Sequence, residues 1–129
     1  MTEIVKGIDH FVLTVADIDA TCEFYRRVIG AERVDFGAGR VALQIGNQKI
    51  NLHRKGSELA PHAGSPVSGS ADFCLVAAGP IAPIADHVRR AGAEIILGPT
   101  PKTGAVGPIT SIYFRDPDDN LVEIGSYEG

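Results

Sequence analysis

His10, His53, Asp72 and Glu123 are the four residues whose types could together hold one ion, and each falls in a run that reads as a strand. Two imidazoles and two carboxylates make a mixed nitrogen and oxygen set. Such a set suits a divalent transition metal such as Zn, Ni, Co, Mn or Fe, whereas calcium wants oxygens alone. Glu123 stands in the apolar run 121–126, where a buried carboxylate needs a cation or hydrogen-bond donors. Each residue also has a plainer reading. His10 could be a hydrogen-bonded core histidine and His53 a strand-end residue facing solvent, while Asp72 could orient a ligand or a water rather than bind directly.

A repeat positions these residues. Shifting the chain by 62 (72 minus 10) puts Asp72 on His10, Phe73 on Phe11 and Leu75 on Leu13, and it puts Gly92-Ala93-Glu94 on Gly30-Ala31-Glu32. His53 and Glu123 are then matched as the last strands of their units, at a shift of 70 (123 minus 53), with residues 98–108 absorbing the growth.

The first unit reads as a strand over 7–15, then a helix capped by Asp17, with Ile18, Cys22, Tyr25 and Ile29 at helical spacing and Gly30 closing it. Strands over 33–36, 40–45 and 49–54 follow, the last two joined by a turn at Gly46-Asn47-Gln48. The second unit repeats the order: a strand over 71–77, a helix opened by Pro80 and closed by Gly92, and strands over 94–97, 109–114 and 121–126. The expected fold is α+β: two tandem βαβββ modules forming a curved mixed sheet around a cup-shaped site. One domain spans 1–129, with module one at about 5–55, a Gly/Ser/Pro-rich linker at 56–69 and module two at about 70–127.

Strand alternation puts Phe11 and Leu13 on one face and His10 on the other, and likewise Phe73 and Leu75 against Asp72. If the phenylalanines pack under the helices, His10 and Asp72 point to the helix-free side. Cys74 shares that side, as a lining residue or a small filler. His62 and His87 read as surface residues. Arg54, Lys55, Lys102 and Arg115 could meet an anionic substrate, and the segment from Pro99 to Pro108 is a candidate mobile wall over the site. Residues 115–120 read as a hairpin turn, since they lack the spacing of a calcium loop.

Composition narrows the partners. With 44% hydrophobic residues, 22% charged and a net charge of -4, the chain is an ordinary globular protein unsuited to nucleic acid or an anionic membrane. No apolar run approaches the roughly 18 residues of a transmembrane helix, and residues 1–6 lack the apolar stretch of a signal peptide. Two cysteines, Cys22 and Cys74, are too few for a disulfide framework, so reduced thiols in a cytoplasmic protein are expected.

Several stretches together carry a resemblance: Ile8-Asp9-His10, Phe24-Tyr25 with Gly30, residues 46–53, residues 103–109, Tyr113-Phe114-Arg115-Asp116-Pro117-Asp118 and Asn120-Leu121-Val122-Glu123. Across 8–127 the chain resembles the vicinal oxygen chelate superfamily of glyoxalase, bleomycin-resistance, fosfomycin-resistance and extradiol dioxygenase proteins. It looks closest to short proteins like glyoxalase domain-containing protein 5. The resemblance implies a divalent metal held by His10 and Glu123, with His53 at the fourth-strand place. Asp72 departs from the pattern, because many relatives carry His there, so the four places read His, His, Asp, Glu rather than His, Glu, His, Glu. It further implies a homodimer and Lewis-acid chemistry on neighbouring substrate oxygens, with Glu123 or Asp72 as proton acceptor. A lactoylglutathione lyase-like isomerisation is the leading specific activity. A ring-cleaving dioxygenase fits less well, since its two-His, one-carboxylate pattern is not matched position by position. The alternative is a non-catalytic dimer that binds a drug or another small molecule, as bleomycin-resistance proteins do.

Overall fold

Alternating apolar residues set the strands of this chain, and capping residues set where its helices start and stop. The computed structural model describes residues 3–129; the N-terminal reading at Met1 and Thr2 lies outside them. The first module runs β1 (His10–Val15), α1 (Ile18–Ile29), β2 (Glu32–Phe36), β3 (Arg40–Ile45) and β4 (Gln48–Arg54). The second runs β5 (Asp72–Val76), α2 (Ile81–Arg90), β6 (Leu97–Thr103), β7 (Pro108–Arg115) and β8 (Leu121–Ser126). Asp17 caps α1, its carboxylate accepting from the Ala20 backbone N–H at 3.0 Å, and Gly30 ends the helix at φ 74°, a conformation glycine adopts without strain.

Each module forms one four-stranded mixed sheet, ordered β1-β4-β3-β2 and β5-β8-β7-β6. The first strand of each module pairs parallel to the last, and the other pairs are antiparallel. This is the expected α+β fold of two tandem βαβββ modules. Phe11, Leu13 and Val15 point from β1 toward α1, and Ile50 and Leu52 join them from β4. A single core runs through both modules, with Tyr25, Val28, Phe114 and Val122 among its fully buried members.

The sixth strand differs from expectation. It covers 97–103 rather than 94–97, and it pairs with β7 from Thr100 opposite Ser111 to Thr103 opposite Pro108. The segment read as a mobile wall is therefore mostly paired strand, closed by a tight turn at 104–107 in which the Gly104 N–H donates to the Gly107 carbonyl at 2.8 Å. Two prolines in four residues masked it. They are tolerated because β6 is the outer edge of its sheet, where a missing N–H breaks no inner ladder. The pairing shifts register between Leu97 and Thr100, and there Gly98 adopts φ 103° with its α-carbon against the Ser111 carbonyl. A side chain would collide with that backbone, so glycine is required at this bulge.

The turn between β7 and β8 does more than reverse the chain. Asp116 is buried, and its carboxylate accepts from the Tyr25 hydroxyl of α1 at 2.7 Å, the Asn120 amide at 2.9 Å and the backbone N–H groups of Asp118 and Asn120. The Asn120 side-chain oxygen accepts from Ala71 N–H, and Asp118 accepts from Ala16 N–H. One acidic turn thus ties the second module to the first helix and to the foot of β5.

Candidate active site

The helix-bearing faces of the two sheets pack on one another. Phe24 of α1 lies 6.1 Å from Phe114 of β7, ring centre to ring centre, and Phe11 lies 5.0 Å from Phe73. The helix-free faces therefore look outward, each lined by its own polar side chains. On the first are His10, Lys49, Asn51, His53 and Arg40; on the second, Asp72, Cys74, Glu123 and Tyr113.

Register corrects one expectation. Across β5 and β8, Cys74 stands opposite Glu123. The 62-residue repeat puts Cys74 on Val12, and Val12 stands opposite Asn51. Asn51, not His53, is thus the β4 counterpart of Glu123, at an offset of 72 (123 minus 51). His53 pairs with Thr14, one step further along the same face, level with Gly125 of the second module. Matching last strands by their one imidazole or carboxylate ignored the neighbouring strand, which fixes the row each residue occupies.

His10 is exposed, and its Nδ1 hydrogen-bonds the Asp9 carboxylate at 2.7 Å. A carboxylate on Nδ1 holds the proton there and leaves the Nε2 lone pair free, the usual arrangement behind a metal-binding histidine. Asp72 is exposed at the start of β5. Glu123 is half-buried between Cys74 and Tyr113, directly opposite it on the two flanking strands. His53 is only 6% exposed, and burial first, then the nearby Arg40 charge, lowers its pKa, keeping the ring neutral. It lines a small cavity of about 100 Å³ with Thr14 and linker residues Ser65 to Val67. His10 and Asp72 instead border a larger, mainly apolar cleft of about 440 Å³ between the free edges of β1 and β5. Among the described residues, no three of His, Cys, Asp and Glu gather closely enough within one chain to hold a metal.

The remaining candidates separate cleanly. His62 is exposed in the linker, and His87, on α2, bonds the Arg27 carbonyl at 3.1 Å, so both lie away from the cleft. Arg54 and Lys55 end β4 on the surface, and Arg115 bonds the Asp119 carbonyl in its turn. Lys102 reaches the second face, its Nζ 5.7 Å from the Tyr113 ring centre. The composition of the strands hid Tyr113, Lys49, Arg40 and Asn51; alternation along correctly paired strands is the signal that finds them.

Cys74 is exposed as a residue, yet its sulfur lies against Gly125. Burial pushes its pKa from the usual 9.0 to about 11, and the Glu123 carboxylate adds to the rise. At pH 8 it should hold roughly 100-fold less thiolate than an ordinary cysteine. Iodoacetamide is expected to alkylate it correspondingly slowly, as followed by mass spectrometry, and Glu123→Gln is expected to speed the reaction. An alkylation rate unchanged in Glu123→Gln would show that the two groups do not interact.

With this geometry in view, the chain proves similar to known proteins along nearly its whole length. The Glyoxalase/Bleomycin resistance protein/Dioxygenase superfamily matches residues 7–124, and the chain belongs to it. It is 50% identical over 124 residues to glyoxalase domain-containing protein RDO1 of Mycosarcoma maydis, covering 96% of this chain and 70% of that one. To virulence protein STM3117 of Salmonella typhimurium it is 48% identical, covering 96% and 86%; the crystal structure of that protein superposes with a TM-score of 0.94 over 97% of this chain and 99% of that one. Lactoylglutathione lyase from Agrobacterium tumefaciens superposes with a TM-score of 0.74 at 25% identity, over 97% and 96% of the two chains.

Divalent metals are usual in this superfamily, and the donors here fit one as two halves. His10, backed by Asp9, offers a free imidazole nitrogen, and Glu123 offers a carboxylate with no cation paired to it among the described residues. Each half lies on an outward face.

Proposed function

We propose that the chain is a divalent-metal-dependent enzyme of the glyoxalase type that works as a homodimer. His10 of one copy would hold the ion with Glu123 of the other, and Asp72 and His53 would stand close by. The observation that carries this reading is the Asp9–His10 pair, whose hydrogen bond occupies Nδ1 of an exposed imidazole on an edge strand and leaves Nε2 without a hydrogen bond.

When bound, the ion supplies Lewis-acid stabilisation of negative charge developing on neighbouring substrate oxygens. The chain's own residues do the rest. Tyr113 and Cys74 flank the Glu123 carboxylate and restrict its rotation, and burial together with that carboxylate keeps both of their protons in place. Glu123 and Asp72 are the groups able to take a proton from substrate carbon at neutral pH. Isomerisation of the lactoylglutathione lyase kind is the specific reaction this arrangement suits. A cytoplasmic setting suits its two reduced thiols, and no helix among the described residues is long and apolar enough to cross a membrane.

Elemental analysis of gently purified protein tests this directly. About one metal per chain is expected, lost in His10→Ala and in Glu123→Ala, with affinity falling about 10- to 100-fold in Asp9→Asn. Metal retained in both alanine variants would refute the assignment. The apolar cleft between β1 and β5 favours a second reading, a dimer that binds a small molecule without transforming it. Metal-free protein that binds an apolar drug in that cleft and turns nothing over would establish it.

A further inference from the structure

The helix-free face of the first module holds a second set of polar groups that the metal reading leaves unused. Phe36 of β2 lies between two cations: Lys49 Nζ is 3.8 Å from its ring centre, and the Arg40 guanidinium carbon is 4.8 Å from it. Both side chains are half-buried, and among the described residues neither forms an ion pair or a side-chain hydrogen bond. Four other arginines, Arg26, Arg27, Arg33 and Arg89, reach carboxylates. The only acidic residue that strand register puts on this face is the exposed Glu32, at its far edge.

A cation over an aromatic face is attracted by the ring's negative face. Two like charges on one ring also repel, and part of their hydration is lost to burial. An anion seated between them would relieve both. Beside them, on the same face, Asn51 and His53 are only 4% and 6% exposed, and Asn51 Oδ1 and His53 Nδ1 have no hydrogen-bond partner. Buried polar atoms without partners are uncommon and costly unless a ligand or water meets them. Ala42, between Asn51 and Val34, contributes only a methyl group and is itself fully buried.

We propose that this face is a receptor for an organic carboxylate. Lys49 and Arg40 hold the anion over Phe36, and a water held beside them donates to the anion and to Asn51 Oδ1. This rests on the proposed enzyme and names its substrate class, an acid whose oxygen-bearing end reaches toward His10. Lys49 stands directly opposite His10 on the neighbouring strand, so the receptor adjoins that ligand. Lys49 is one strand spacing, about 5 Å, from the β1 strand that carries His10, so an acid whose carboxylate lies a few bonds from its reacting oxygens fits.

Calorimetric titration of the full chain with 2-oxoglutarate and with 2-oxoglutaramate, the amide of its distal carboxylate, tests the assignment. The amide is expected to bind about tenfold or more weakly, and Lys49→Met or Arg40→Met to weaken 2-oxoglutarate about equally, as loss of a charge-assisted hydrogen bond requires. Lys55→Met, at the end of β4, serves as the control and should bind as wild type. Both variants should keep the wild-type metal content and unfolding temperature. Repeating the comparison in chelator-treated protein reads the cationic pair alone, so loss of the metal reading and loss of this one give different results. Equal binding of acid and amide in both states, no measurable binding of 2-oxoglutarate, or unchanged affinity in the Lys49→Met/Arg40→Met double variant, would overturn the receptor.

Discussion

Mixing His10→Ala protein with Glu123→Ala protein, each inactive alone, is expected to return about a quarter of wild-type turnover. The expectation follows from where the two residues lie. The helix-bearing faces of both modules share one core, so the His10 face and the Glu123 face of a single chain look outward from different sheets. A site needing both must then draw one from each copy. In a twofold dimer of two different variants, one site carries both defects and the other carries neither. Random exchange makes about half of the dimers mixed, each with one of its two sites intact, hence about a quarter of the activity. The measurement is turnover after brief unfolding and joint refolding, against each variant refolded alone. Metal content should recover in the same proportion. If each chain holds its own complete site, every site in the mixture keeps one defect and no activity returns, which would refute the shared site.

Much of this architecture was legible in the sequence because its evidence is local. The alternation around Phe11 and Phe73 reports which side chains face the core, the Asp17 and Gly30 caps mark α1, and the repeat of 62 aligns β1 with β5. What failed depends on pairing between strands. β6 was misread because Pro99, Pro101 and Gly98 signal a loop wherever an inner strand is meant, while an edge strand next to a bulge accepts all three. His53 was matched to Glu123 by residue type, and only the register of β1 on β4 shows that Asn51 holds that row. Nothing in a linear reading brings Lys49 and Arg40 onto one phenylalanine. Whether four ligands converge within one chain depends on a further point. Alternation says which face a side chain takes but not whether two sheets close over that face or pack back to back on the other.

That back-to-back packing has a buried polar keystone, and its removal should be the most damaging substitution outside the apolar core. Asp116 is 4% exposed and accepts four hydrogen bonds, from the Tyr25 hydroxyl, the Asn120 amide and the N–H groups of Asp118 and Asn120. Asp116→Ala strands all four donors, two of them on side chains that are 0% and 1% exposed. Each buried, unsatisfied donor costs about 1–3 kcal/mol, and after relaxation and entry of water a total of about 3–5 kcal/mol is expected. That is a large share of the roughly 5–15 kcal/mol that holds a domain folded. Tyr25→Phe removes one donor, keeps the ring packed and leaves the other three bonds, so it should cost only about 1–2 kcal/mol. Urea unfolding of the two single variants and the double variant measures both costs and their coupling. In Asp116→Ala, a loss under about 1 kcal/mol would show that water replaces the carboxylate without penalty. The damage should also reach the site, because Asn120 fixes Ala71, next to Asp72, and opens the strand that carries Glu123. Metal affinity is therefore expected to fall in Asp116→Ala under conditions where the protein remains folded, but to stay near wild type in Tyr25→Phe, where the turn keeps its shape.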